Sequence, residues 1–453
     1  MTLDVSELAR NIAGPVLKPG DKGYEQETAG MQTAFPREPD VVVGATGPND
    51  VRAAVRFAVD NSLPVAVQGT GHAFSTLRGG LLVNTSRMNA IEVHPRKRTV
   101  RFEAGVRWAQ VVEATAPHGL APLSGSAPNV GAMAYTLAGG MSLMGRKYGY
   151  AADHVRQIDV VTADGRYRHV TVDNDPDLFW ALRGGRDNFG IATAAEVDLV
   201  EVDQLYGGGL FFDGSIAGDV VPAWRRWTDD LPDEMTSSLG VVPFPDIPPI
   251  PEPLRGKHVV HIRIAFLGDA ATGEKLVAPL LTAGSRLMEG LREMPYTEAG
   301  TIYNDPTDPM PYHGTNAMLS DLDDKAIQTL LENAGPGAQH KFILELRHMG
   351  GAYGREPEVP NAVNHRDAAY ALGALSRIGP VDLPTAVSAH ADLANAMAPW
   401  SIGCGLNFTY GDASPDDVRA VYNDQDYRRL TELKSRYDPE NLFRLNYNIP
   451  PAR

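Results

Sequence analysis

Pro64-Val65-Ala66-Val67-Gln68-Gly69-Thr70-Gly71-His72 joins an apolar strand to a glycine-bracketed turn that holds up a single histidine. Lacking a Cβ, glycine lets successive backbone N–H groups point into one concavity, which is how a loop cradles a diphosphate. A histidine closing such a loop stands where the ring system of a bound cofactor would meet it. Glycine turns after strands are common, so the weight of this stretch comes from the segments that accompany it.

The chain has 453 residues, more than one hydrophobic core ordinarily supports, and two large domains or one with an insertion are expected. Its 43% hydrophobic and 21% charged residues are ordinary for a soluble globular enzyme. A formal net charge of -15 argues against nucleic acid or an anionic membrane as the main partner. Cys404 is the single cysteine, so neither an intramolecular disulfide nor a multi-cysteine metal site can form. The 12 histidines are scattered, and no metal is expected. Met1 to Ala13 carries Asp4 and Glu7 with no apolar core, and no run approaches the roughly 20 apolar residues of a spanning helix. The expected location is the cytoplasm; no pattern points to an oligomeric state.

The first part of the chain alternates α and β. Val41 to Val43, Leu63 to Val67 and Leu81 to Val83 read as buried strands, and Asn49 or Asp50 as the cap of a helix carrying Val51, Val55 and Ala58 on one face. Ile91–His94 and Thr99–Phe102 read as a hairpin, Trp108 to Thr115 as a helix, and Val155 to Thr162 with Tyr167 to Val172 as paired strands. A helix opens at Asp175-Pro176 and ends in Gly184-Gly185, before a strand from Ala195 to Val200. Near residue 205 the character changes. Strands at 207–212, 259–266 and 341–348 alternate with helices at 222–228, 273–281 and 325–332, around an irregular proline-rich loop at 243–251. This predicts an antiparallel sheet with helices on one face, an α+β pattern. Tyr427 to Tyr437 is a basic helix stopped by Asp438-Pro439.

Three elements follow in order: Gly69-Thr70-Gly71-His72; Gly125-Ser126-Ala127-Pro128-Asn129-Val130-Gly131 through Gly139-Gly140 to Tyr148-Gly149; and Tyr437-Asp438-Pro439-Glu440-Asn441-Leu442-Phe443 through Asn446-Tyr447-Asn448-Ile449-Pro450. With Asp177 to Gly185 and Phe189-Gly190, they resemble the berberine-bridge-enzyme-like FAD-linked oxidases of the vanillyl-alcohol-oxidase (PCMH-type) fold. The likeness spans about residues 36–200 and 340–453. It implies a two-subdomain FAD-binding domain over 1–203 (core about 36–203), an inserted antiparallel-sheet substrate domain over 204–403, and a segment over 404–453 that completes the FAD domain.

The resemblance implies FAD held by Gln68, Gly69, Thr70, Gly71, His72 and Ala73, by Gly125, Ser126, Ala127, Val130, Gly131, Gly139 and Gly140, by Tyr148, Gly149, Asp153, Gly190 and Ile191, and by the amides of Asn446 and Asn448. It implies a covalent 8α-histidyl link through His72, and a neutral imidazole suits that chemistry. Many relatives add a cysteinyl link inside the second segment. Ala127 stands at that position here, so no cysteinyl link is expected.

Relatives often use a tyrosine in a Leu-Asn-Tyr strand as base. Here the stretch is Cys404-Gly405-Leu406-Asn407-Phe408-Thr409-Tyr410, with Phe408 at the tyrosine position. If the strand alternates, Tyr410 shares the face of Phe408 and can substitute. Tyr370 is a second candidate base, and Glu345, His348, Tyr353, Asn407 and Phe408 are candidate substrate contacts. The implied reaction is removal of a hydride from an alcohol, phenol or amine carbon of a small organic substrate such as a sugar or secondary metabolite, with O2 as acceptor. Its competitors are a same-fold dehydrogenase with another acceptor and a flavin-containing cyclase without net redox turnover.

Overall fold

The computed structural model of the protein describes residues 3–73 and 75–452. Val41–Gly44, Leu81–Asn84 and Val65–Gln68 form a parallel sheet with Leu81–Asn84 central, and Val16–Leu17 adds an antiparallel edge. Short β-branched and leucine runs suit a small sheet covered on both faces, and Val41, Val42, Val43, Leu81, Leu82 and Val83 are fully buried. The helix Pro48–Asp60 lays Val51, Ala54, Val55 and Ala58 on it. Its cap is Gly47, a departure from the expected Asn49 or Asp50. Asp50 lies in the first turn and accepts from the N–H groups of Ala13 (2.9 Å) and Thr46 (2.8 Å), fastening the N-terminal segment.

A second, antiparallel sheet runs Tyr167–Val170, Val155–Val161, Ile191–Asp198, Thr99–Glu103, Ile91–His94. The predicted hairpin is present, with Ile91 opposite Phe102. The strand expected from Ala195 begins earlier, at Ile191, because its first residues already pair with Val155–Val161.

The third sheet has nine antiparallel strands. Its order is Arg286–Glu289, Gln204–Asp213, His258–Phe266, Met235–Pro243, Ile343–His348, Tyr370–Arg377, Tyr312–Leu319, Ser401–Gly403, with Arg292–Pro295 also paired to Gln204–Asp213. One face is apolar: Ile262, Ile264, Leu344, Leu346 and Leu372 pack under helices Ala217–Trp227, Asp324–Ala334 and Leu383–Met397 through Val220, Trp224, Ile327, Leu330 and Leu393. The opposite face carries Arg263, Glu345 and Arg347.

Two sequence expectations fail here. Helix Leu383–Met397 and strand Met235–Pro243 were not legible, the strand because Ser237, Ser238 and Gly240 interrupt its apolar run. The expected strand over 404–410 is instead an edge strand Ser401–Gly403 followed by a 3-10 turn Leu406–Phe408. That turn removes the strand alternation used to relate Phe408 to Tyr410. No helix among the described residues is long and apolar enough to cross a membrane.

Candidate active site

The bend after Val65–Gln68 turns its carbonyls outward and its amides inward. The N–H of Met31 donates to Thr70 O (3.0 Å), that of Gln32 to Gly71 O (2.9 Å), and the Tyr312 hydroxyl to His72 O. The N–H groups of Thr70 to Ala73 find no protein acceptor among the described residues. Gly71 has φ 67° and lies so close to Gly30 that a Cβ would stand 2.9 Å from its Cα. Only glycine fits both demands. His72 Nδ1 and Thr70 Oγ1 are 2.9 Å apart, and Thr70 Oγ1 accepts from Gly131 N–H (3.2 Å), which ties the bend to the second glycine segment. Burial, aided by the positive charge of Arg107, lowers the His72 pKa to about 4, so its imidazole is neutral at pH 7.

The second segment turns at Gly139 (φ 112°) and Gly140 (φ 80°); a Cβ on Gly140 would meet Tyr135 at 2.6 Å and Ala151 at 2.7 Å. Asn407, expected as a substrate contact, spends its amide here. Its Oδ1 accepts from Gly140 N–H (2.8 Å) and its Nδ2 donates to Tyr135 O (3.0 Å). Ser126 Oγ donates to Asp305 (2.7 Å). Tyr148 O accepts from His154 Nε2 (2.7 Å), and Gly149 has φ 87°. Asp153 accepts from Tyr150 N–H and is ion-paired with Arg366 (2.6 Å), so its carboxylate is already committed. Gly190 and Ile191 begin a core strand, with Gly190 backed against Val161 O, where a Cβ would come to 2.6 Å. Gly125, Ala127 and Val130 are half-buried along the same wall.

The terminal segment is held by a buried ion pair. Lys434 Nζ lies 2.7 Å from Asp438, both side chains fully buried, and donates to Asn188 O (2.6 Å) and Phe443 O (3.1 Å). Asp438 accepts from the N–H groups of Leu442 (2.7 Å) and Phe443 (2.9 Å). Asn188 in turn bonds Tyr447 O and Ile449 N–H, and Leu442 O accepts from Val65 N–H, so the segment lies along the strand that leads into the bend. Between these anchors, Asn446 Nδ2 and Oδ1 and Asn448 Oδ1 are buried without a protein partner, as is Gln68 Oε1.

On the polar face of the large sheet, Glu345 accepts from Arg263 Nη1 (3.2 Å) and from Arg347 Nε and Nη2 (both 3.0 Å). The Arg347 guanidinium lies 4.7 Å from the Phe408 ring centre, and both guanidinia flank the Tyr303 ring. Two hollows adjoin; Met141 and Met318 border both, and Phe408, Glu345 and Arg347 border the smaller.

Two expected residues point elsewhere. Tyr370 and His348 lie on the helix-covered face. The Tyr370 hydroxyl bonds Thr228 Oγ1 (2.6 Å), its ring packs on Trp224, and His348 Nε2 accepts from Arg146 (3.0 Å). Alternation explains it: Glu345 and Arg347 face one way, His348 the other. Tyr353 donates to Ser142 O (2.8 Å) and fills the space beside Gly145, which makes it a packing residue. Tyr410 meets Tyr312 edge-on at 5.3 Å, and burial raises its pKa far above that of a free phenol.

Residues 39–171 match the family described as FAD binding domain, and residues 406–450 the family described as berberine and berberine like. The chain is 27% identical to (R)-6-hydroxynicotine oxidase of Paenarthrobacter nicotinovorans over 97% of each chain. This chain is an FAD-linked oxidoreductase similar to the berberine-bridge-enzyme-like group. The structure of xylooligosaccharide oxidase from Myceliophthora thermophila superposes on this oxidoreductase with a TM-score of 0.87 at 19% identity over 100% of both chains, a likeness of fold. So does glucooligosaccharide oxidase from Acremonium strictum, described with a 6-S-cysteinyl, 8α-N1-histidyl FAD, with a TM-score of 0.86 at 18% identity over 98% of both chains.

The residues present fit FAD. Unpaired N–H groups at the bend suit a diphosphate, glycines at positive φ admit flat rings, and the unpartnered amide of Asn446 with the free amide oxygens of Asn448 and Gln68 suits the polar edge of a flavin. Arg263, Tyr303 and Asp305 escaped the sequence reading because no motif surrounds them. A signal existed for Arg263: His258–Phe266 alternates, and His261 and Arg263 fall on the face opposite Val260, Ile262 and Ile264.

Proposed function

We propose that this oxidoreductase is an oxidase whose FAD is attached through His72 alone, acting on an alcohol, phenol or amine carbon of a small organic substrate. The observation that carries the reading is the convergence of a neutral, half-buried His72 with a row of unpaired bend amides. A protonated imidazole has no lone pair for bond formation; at pH 7 His72 keeps one. A second, cysteinyl link needs a sulfur where this chain has Ala127. Cys404 has its thiol pKa pushed up to about 12 by burial, which leaves almost no thiolate.

When bound, FAD supplies the two-electron acceptor for the substrate hydride and passes both electrons to O2, giving hydrogen peroxide. The oxidases among the relatives support oxygen in that role. We assign the substrate chamber to the hollow beside Phe408, with residues 1–203 and 404–453 holding the cofactor and 204–403 covering it. Tyr410, the expected base, is buried with its phenol pKa raised, which keeps it protonated at pH 7. Intact mass above the chain mass by one FAD, flavin bleaching by substrate under argon and peroxide release in air test this reading. A colourless protein that stays so when supplied with FAD would refute it.

A further inference from the structure

Resting on that assignment of the chamber, we infer that the substrate carries a carboxylate, as hydroxy acids, sugar acids and phenolic acids do, and that Arg263 and Arg347 receive it. Arg263 projects from His258–Phe266 and Glu345 from Ile343–His348, with Met235–Pro243 between them. The intervening residue Gly240 pairs with both His261 and Glu345; a Cβ there would stand 2.9 Å from Arg263 Nη2. The glycine therefore lets the guanidinium cross the middle strand and reach Glu345. Arg347 approaches the same carboxylate from its own strand.

One carboxylate thus faces two guanidinia. Arg263 and Glu345 side chains are 10% and 20% exposed and Arg347 12%, so screening is weak and one positive charge remains in excess in this cluster, of which Glu345 and Arg347 border the chamber. Hydrogen-bonding capacity is also left over. Arg263 Nε is buried without a partner, and neither Arg263 Nη2 nor Arg347 Nη1 has a protein acceptor among the described residues. The rings of Tyr303 and Phe408 cover these guanidinia but offer π-faces rather than oxygen acceptors. The other acid in this field, Asp305, accepts from Ser126, and its raised pKa makes it a weaker counter-charge than Glu345. A carboxylate supplies the missing acceptors and charge together, and bidentate capture by guanidinium is the geometry such pairs favour. A protonated amine meets like charge instead, so within the proposed substrate range the wall selects against amines.

The test titrates the flavin-bearing protein with benzoate, benzyl alcohol and benzylamine and follows the visible flavin band. Benzoate is expected to perturb the band saturably and to bind about tenfold more tightly than either analogue. Arg263→Gln should weaken benzoate about tenfold and leave benzyl alcohol unchanged. Glu345→Gln should tighten benzoate, because it removes the competing carboxylate; a structural role alone would not tighten binding. Equal affinities for the three probes, tighter benzylamine, or no tightening in Glu345→Gln would overturn the proposal. A flavin-bearing protein whose band ignores benzoate refutes this inference alone, whereas a protein that cannot hold flavin refutes the reading beneath it.

Discussion

Around Gly69 to Ala73 the groups left for a ligand are backbone amides, while on the large sheet they are side chains: Arg263, Glu345 and Arg347. The first wall depends on where glycine permits the chain to go; a methyl group at Gly71 or Gly140 would collide with Gly30 or Tyr135. The second needs glycine at Gly240, where Arg263 crosses, but is open at Gly373, where a Cβ would touch only Glu345 Cβ at 3.9 Å. A wall made of backbone serves a constant ligand, and a wall made of alternating side chains can be re-cut for different substrates.

The sharpest way to break this comparison is in the anchor of the backbone wall. Lys434→Met leaves Asp438 charged and buried without its partner, and is expected to cost about 3–5 kcal/mol. Chemical denaturation would measure it, with flavin release preceding global unfolding. A loss below 1 kcal/mol would mean that the pair does not hold the Asn446 and Asn448 segment in place.

Next in size is a matched pair of glycine substitutions. Gly140→Ala should cost about 2 kcal/mol or more, from positive φ and the Tyr135 clash, and should lower flavin content. Gly373→Ala should shift stability by less than about 1 kcal/mol while changing substrate KM. If both lower flavin content equally, the two walls do not differ as described.

Acidification should separate the halves as well. His348 and His390 in the sheet half are buried, and desolvation, helped by neighbouring positive groups, lowers each pKa to about 3. The unfolded chain takes up those protons first, near pH 6.5, so this contribution is complete above about pH 6.5 and is lost as pH falls toward 3. Amide exchange between pH 7 and 5, corrected for intrinsic rate, should accelerate in Ile343–His348 and Leu383–Met397 before Val41–Gly44. Simultaneous acceleration would contradict the attribution.

The smallest effect belongs to Tyr370→Phe. It removes the hydrogen bond to Thr228 on the helix-covered face, so about 1 kcal/mol of stability should go and kcat should stay. A tenfold fall in kcat would return Tyr370 to the chemistry.

Legibility in the sequence followed the same division. Gly71, Gly139 and Gly140 announce themselves because positive φ and close approach leave no alternative residue, and Asp438-Pro439 because it ends a helix. The small parallel sheet was visible in its β-branched runs. On the sheet wall Glu345 was legible as a substrate contact but its partner Arg263 was not, since the two lie 82 positions apart in the chain and meet only across Gly240. Phe408 and Tyr410 were misrelated for a local reason: a 3-10 turn replaced the strand on which alternation rests. Tyr370 and His348 read as site candidates because the sequence alone does not say which face of their strands they occupy.

The central claim is that a neutral imidazole at the end of the bend holds the flavin. Denaturing electrophoresis of the wild-type protein beside His72→Ala, viewed for flavin fluorescence before staining, tests it most directly. A fluorescent wild-type band with a dark variant band is the result expected; a wild-type band that is dark, or a variant band that still glows, would contradict the account.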